Sequence, residues 1–205
     1  MKYDQEYYFV RRPKNKDSLP SLSPDADTED RQFRFAAQSI DSPPLVFFNG
    51  AKDYQKKHSI PSQRNIPDIL FDGGNMLVRD HIREVLFAKN IPNLHMHPAI
   101  YIHDDDKQYK EFWYMTFTER FDCWDRDNSN YERESPPIRL GGFEFFSVYD
   151  YSLNCELLDK LPLEQRLLFK MGGATDGYIV CHESLAPLFR QDGKSGAELT
   201  LISHY

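Results

Sequence analysis

Apolar residues in this chain fall in short runs separated by polar stretches, and the runs define the expected elements. Tyr7-Tyr8-Phe9-Val10 reads as a first strand. Residues 11–31 are rich in Lys, Pro, Ser and Asp and carry little apolar material, which predicts a surface loop. Gln32-Phe33-Arg34-Phe35 alternates and predicts a strand. Leu45-Val46-Phe47-Phe48 predicts another, ended by the turn signal Asn49-Gly50, and residues 51–66 read as a second polar loop.

The middle of the chain is patterned more strongly. Ile69-Leu70-Phe71 leads through an Asp72-Gly73-Gly74 turn into Met76-Leu77-Val78. Ile82, Val85, Leu86 and Lys89 then recur at helical spacing and predict one helical face, with Asp80 at the positive end of the dipole and Pro92 as the stop. Residues 94–102 alternate. Leu94, Met96, Pro98, Ile100 and Ile102 face one way, and His95, His97, Ala99, Tyr101 and His103 the other, as in a half-buried strand. Pro98 predicts an edge or a bulge. Asp104-Asp105-Asp106 reads as a charged turn joining this strand to a second one over Phe112–Phe117, so the two predict a hairpin.

Gly141-Gly142 precedes a β run from Phe143 to Tyr149, and Leu167–Met171 predicts a strand ended by Gly172-Gly173. Tyr178-Ile179-Val180-Cys181 predicts a strand, followed by a short helix carrying Leu185, Leu188 and Phe189, a loop between Gly193 and Gly196, and a last strand over Leu199–Ile202. Ser184 is the expected cap of that helix, with Pro187 in its first turn. Aligning Asp80 with Glu183 superposes Leu77 on Val180, Ile82 on Leu185, Val85 on Leu188 and Leu86 on Phe189, which predicts a duplicated strand–helix–strand unit. The expected fold is α+β, mostly antiparallel sheet with a few short helices. Residues 1–66 form N-terminal strands and polar loops packed on a main domain of residues 67–205.

The 40% apolar and 14% aromatic content is enough to bury a sizeable core in 205 residues. A net charge of −7 disfavours nucleic acid as a partner and suits a basic protein. The charged start Met1–Glu6 is unlike a signal peptide, no run approaches a membrane span, and Cys123, Cys155 and Cys181 form no CxxC pair. These features predict a cytoplasmic protein with reduced thiols and no membrane or nucleic-acid partner.

Candidate chemistry is sparse. His95 and His97 point to one side of a strand, with His103 further along, so a metal-dependent hydrolase built on these three is one reading; a solvated strand face is the other. Cys181 and His182 are strand neighbours on opposite faces and do not form a nucleophile–base pair. Asp72-Gly73-Gly74-Asn75 reads as a turn, since no phosphate-binding glycine pattern surrounds it. No catalytic residue, cofactor or metal is expected.

Charge is distributed more tellingly. Residues 104–134 hold ten acids against five bases, a net charge of −5 within the chain's −7, interleaved with Phe112, Trp113, Tyr114, Phe121, Trp124 and Tyr131. Apolar anchors inside an anionic rim are the build of a protein interface. Asp104, Asp105, Asp106, Glu111, Trp113, Asp122, Trp124, Asp125 and Asp127 are the candidate partner-binding residues. The alternative is that the aromatics point inward while the acids solvate the outside.

The run from Asp72 to Leu86 resembles the strand-then-helix segment of a bacterial immunity-protein family from polymorphic toxin systems. Leu94–Ile102, Phe121-Asp122-Cys123-Trp124-Asp125, Leu163–Lys170 and Tyr178–Leu185 are similar to the segments that follow it in that family, so the resemblance spans roughly residues 68–205. Arg79 and His182 stand where the family tends to have a serine cap. The resemblance implies a non-enzymatic, stoichiometric inhibitor that binds a cognate toxin encoded by an adjacent gene. It carries over no binding residue, because such families diversify at the interface. A structural adaptor of a secretion apparatus is a further alternative.

Overall fold

The computed structural model describes residues 2–61, 63–190 and 194–205; Met1 and Gly193, which bear on the expected chain start and C-terminal loop, lie outside them. In chain order, β1 (Tyr7–Arg11), β2 (Leu22–Pro24), α1 (Ala26–Glu29), β3 (Leu45–Asn49) and α2 (Lys52–Lys57) come first. The hairpin of β4 (Ile69–Asp72) and β5 (Asn75–Arg79) leads into α3 (Asp80–Ala88), and the long hairpin of β6 (Leu94–Ile102) and β7 (Gln108–Phe117) follows. Four short strands come next: β8 (Asn130–Tyr131), β9 (Ile138–Leu140), β10 (Phe143–Phe145) and β11 (Val148–Asp150). Then come α4 (Cys155–Asp159), β12 (Leu168–Lys170), β13 (Ile179–His182), α5 (Ala186–Phe189) and β14 (Glu198–Leu201). Strand makes up 34% and helix 20%, and the described strand pairs are antiparallel apart from β3 on β6, so the fold is α+β with mostly antiparallel sheet.

Two sheets organise the chain, one of order β2-β3-β6-β7-β5-β4 and one of order β12-β13-β1-β14. Alternate residues of a strand enter different cores. Met76, Val78, Ile179 and Cys181 meet in a central core between the sheets, with Ile82 and Leu86 of α3 and Leu185 and Phe189 near α5. Leu77 enters an outer core with Phe47, Tyr101 and Tyr114, and Val180 enters another with Phe9, Trp124 and Met171. Because both faces are covered, these strands read as unbroken apolar runs.

The duplicated unit is visible in the topology. In each copy a hairpin (β4–β5 or β12–β13) runs through a short helix to a strand (β6 or β14) two places away, across one antiparallel strand. That interposed strand is β7 in the first copy and β1 in the second. Ile82, Leu86, Leu185 and Phe189 are buried at the equivalent helix positions. Val85, expected on the buried face, is 41% exposed, and Leu188 is half-buried, so this position lies at the outer margin in both copies. The cap of the second helical segment is His182 and not Ser184: its Nδ1 accepts from the Ser184 N–H at 3.2 Å, and Pro187 falls in the first turn of α5. Arg79 does not cap α3; its guanidinium pairs with Asp68 at 2.9 Å and with Glu111.

Other expectations are corrected. Gln32–Phe35 is no strand: backbone bonds from Phe33 to Arg31 and from Phe35 and Ala36 to Gln32 fold it into turns that bury Phe33. The loop at 51–66 contains α2, whose sole buried residue is Gln55, so no apolar stripe announced it. The loop at 11–31 contains β2 and α1, capped by Asp25. The run at 143–149 breaks into β10 and β11. On β6 the face bearing His97, Ala99 and Tyr101 is buried, while Leu94 and Met96 are half-buried. Pairing with β3 begins at Ala99, so Pro98 stands on a locally open edge, next to a register shift. Residues 1–66 and 67–205 share both sheets through β1 and β3. No helix among the described residues is long and apolar enough to cross a membrane.

Candidate functional site

The chemistry-bearing side chains gather in two places: a buried junction between the sheets and a surface beyond the C-terminal end of β7. At the junction, Lys170 of β12 reaches across to Asn75 of β5, its Nζ donating to Oδ1 at 2.5 Å. Asp72 accepts from the Tyr114 hydroxyl at 2.6 Å and from Arg34 Nε at 2.9 Å. Burial, and then the nearby Arg120 charge, lower the Lys170 amine from 10.5 to about 8. Burial and the Asp72 carboxylate raise the Tyr114 hydroxyl. A lysine held near neutrality is a nucleophile in an open site. Here it is 5% exposed, and it lines none of the described cavities, so its visible work is to tie the sheets together.

The nine residues expected to form one binding patch are divided among separate environments. Asp104, Asp105 and Asp106 occupy the β6–β7 turn. Asp104 accepts from Asn49 Nδ2 at 3.3 Å, and Asp105 from the His103 ring at 2.8 Å, which with the Lys107 N–H holds its carboxyl below the usual range. Asp122, Asp125 and Asp127 lie beyond the other end of β7, whose 10 residues span about 30 Å at the usual strand rise. Between these ends, Glu111 pairs with Arg79, and Trp113 lies half-buried over α3, its Nε1 donating to Asp80 at 2.5 Å. Trp124 is a core residue, 1% exposed and packed edge-on to Tyr131, Phe146 and Tyr151. For Trp124 the inward alternative holds.

The three histidines also remain apart. His95 is exposed, and His97 is buried with Nε2 3.0 Å from the Pro43 carbonyl oxygen and 3.3 Å from Arg31 Nη2. His103 is engaged with Asp105. Among the described residues no three His, Cys, Asp or Glu side chains converge to hold a metal ion. The Cys123 and Cys181 thiols are buried, and burial pushes Cys181 up to about 12.

An acidic bay of about 730 Å³ lies between residues 127–134 and Tyr149-Asp150. Asp125 underpins it, accepting from the Asp127 and Asn128 N–H groups at 2.9 and 3.2 Å and from Asn128 Nδ2 at 2.9 Å, and these bonds lower its pKa. Backbone N–H groups of Glu134 and Ser135 lower Glu132 likewise. Both therefore stay ionised near neutral pH. From the bay the chain runs through Ser135-Pro136-Pro137 into the β9–β10 hairpin, a two-stranded sheet joined by Gly141 and Gly142 at φ +59° and +82°, the positive φ pair of a tight hairpin turn. Ile138, Leu140, Phe143 and Phe145 share one face of it by register. Ile138 is 61% exposed, Leu140 72% and Phe143 70%. The hairpin borders a groove of about 1080 Å³ with Phe35, Phe117, Arg120 and Asp122 on its walls.

The hairpin's aliphatic and aromatic face was not among the expected site residues. Its signal was present: Ile-Arg-Leu, Gly-Gly, Phe-Glu-Phe alternates on both sides of a two-residue turn. No protein-family model matches the chain, and none of the curated proteins compared with it matches either.

Proposed function

We propose that this protein neutralises a toxin by forming a one-to-one complex with it, as an immunity protein of a bacterial polymorphic toxin system, with a basic cognate toxin as partner. The observation that carries the reading is the placement of an unpaired apolar hairpin face beside an acidic bay. A contiguous exposed apolar face on a two-stranded sheet is the kind of surface that burial against a partner stabilises, and the acidic bay steers a cationic surface toward it. The resemblance of residues 68–205 to the immunity family points the same way. The metal-hydrolase reading has less behind it, because His95 is exposed while His97 and His103 are turned to different partners.

The test is co-expression with the toxin encoded next to this gene. The wild-type chain restores growth and co-purifies with the toxin at one-to-one stoichiometry. The account fails if the toxin does not kill cells lacking this protein, or if rescue occurs without a complex.

A further inference from the structure

The groove under the β9–β10 hairpin holds one guanidinium that, among the described residues, no carboxylate meets. Three guanidinium groups line it. Arg126 is held by both oxygens of Asp122 at 2.6 Å, and Arg139 by Glu144 at 2.8 Å. Glu119 accepts from Asn93 Nδ2 at 3.1 Å. Arg120 has no hydrogen bond or ion pair among the described residues and rests over the Phe145 ring, 5.5 Å from its centroid. Its charge is felt inside the protein, since it helps depress the Lys170 amine behind it. Phe35, Phe117, Leu140, Phe143 and Phe146 line the same groove, and the guanidinium also lies against Gly177.

We infer that this groove receives an extended segment of the partner protein in which apolar side chains flank one carboxylate, the carboxylate closing on Arg120 and the apolar side chains on Leu140 and Phe143. The inference rests on the reading of the protein as a partner-binding inhibitor, and it names where and by what chemistry one part of the partner docks. Three features argue for this occupant. Arginine presents a planar fork that matches a carboxylate in two bonds, and the apolar walls weaken competition from water. Both strands of the hairpin have an open edge, which offers main-chain bonds to an extended segment. The groove's other two guanidiniums are already paired with Asp122 and Glu144, and Glu119 is held by Asn93, so Arg120 is the cation left for an anionic group of the partner. The acidic bay takes the partner's basic surface, and the groove takes its acidic anchor.

The probe is an acetylated, amidated peptide with two leucines on each side of one aspartate, compared with the same peptide carrying asparagine. Binding is read by amide chemical-shift changes in the full-length protein, with sodium laurate as a third ligand. The aspartate peptide is expected to bind about tenfold more tightly than the asparagine peptide, the worth of one charge-assisted contact, with shifts centred on residues 118–120 and 138–146. Arg120→Gln abolishes that tenfold preference and leaves the melting temperature in place. Leu140→Asp with Phe143→Asp weakens both peptides. Equal affinity for the two peptides, shifts centred elsewhere, or no binding at millimolar peptide overturns the proposal. Binding of laurate alone also overturns it, in favour of a lipid-like occupant. The intact toxin separates this inference from the reading beneath it. A complex indifferent to Arg120→Gln and Leu140→Asp removes the docking site and leaves the inhibitor function standing, whereas absence of any complex removes that function while the peptide result stands on its own.

Discussion

Replacing Lys170 by methionine deletes a buried amine while keeping a flexible apolar stem of similar volume. In the folded protein the amine loses its proton near pH 8, against 10.5 for the ordinary side chain. That difference is worth about 3 kcal/mol. The sign follows from proton counting. Between pH 8 and 10.5 the unfolded chain binds a proton that the folded chain has released, so stability rises with pH across this window. Below pH 8 both states are charged and the full penalty of the buried charge is present. Above 10.5 both are neutral and it is gone. Cys181 and the buried tyrosines pull the other way, because burial raises their pKa and the unfolded chain gives up those protons first. Methionine at 170 leaves these contributions in place, so they cancel between the two proteins. Near pH 7 the variant escapes the buried-charge penalty but leaves Asn75 Oδ1 without its donor, a loss of about 1–3 kcal/mol. The two proteins should therefore be nearly equal there, or the variant slightly ahead. Urea unfolding followed by tryptophan fluorescence at several pH values from 7 to 10.5 gives the comparison. Wild type is expected to gain about 3 kcal/mol on the variant across that range. A difference that stays flat with pH refutes the sealed junction and, with it, the assignment of Lys170 to holding the sheets together.

Three further outcomes follow from where individual side chains sit in the fold. Trp124→Ala destabilises the fold by about 3–5 kcal/mol in denaturant titration, as a core aromatic does, while Leu140→Asp, on an exposed face, changes stability by under about 0.5 kcal/mol. Tyr114→Phe takes one donor from the buried Asp72 carboxylate and costs about 1–3 kcal/mol in the same assay. Reversing the bay charges with Asp127→Lys and Glu134→Lys slows toxin association about tenfold at low salt, with little change at 0.5 M salt, in a stopped-flow measurement.

The sheet strands were legible because their patterning is dense: Tyr7–Val10, Ile69–Phe71, Met76–Val78 and Ile179–Cys181 bury both faces and so form unbroken apolar runs. Their equivalence across two units was legible as well, since Ile82 with Leu86 and Leu185 with Phe189 keep one spacing. Gln32–Phe35 misled because one buried Phe33 in a turn, beside an exposed Phe35, imitates alternation over four residues. The polar α2 gave no signal at all. The site was less legible than the fold. Local sequence placed Trp113 and Trp124 in one acidic, aromatic segment, but 11 positions of strand and turn separate a half-buried indole over α3 from a core one. The Lys170–Asn75–Asp72 junction joins residues 95 positions apart, which only tertiary pairing reveals.

The central claim is that this protein works through the stability of a complex. Isothermal titration of the purified chain with the purified toxin, at 50 and 300 mM salt, tests it most directly. The account predicts one-to-one binding at both salts, lost when Leu140 and Phe143 are both made aspartate. No heat of binding, or turnover of a substrate by the isolated chain that disappears on changing His95, would contradict it.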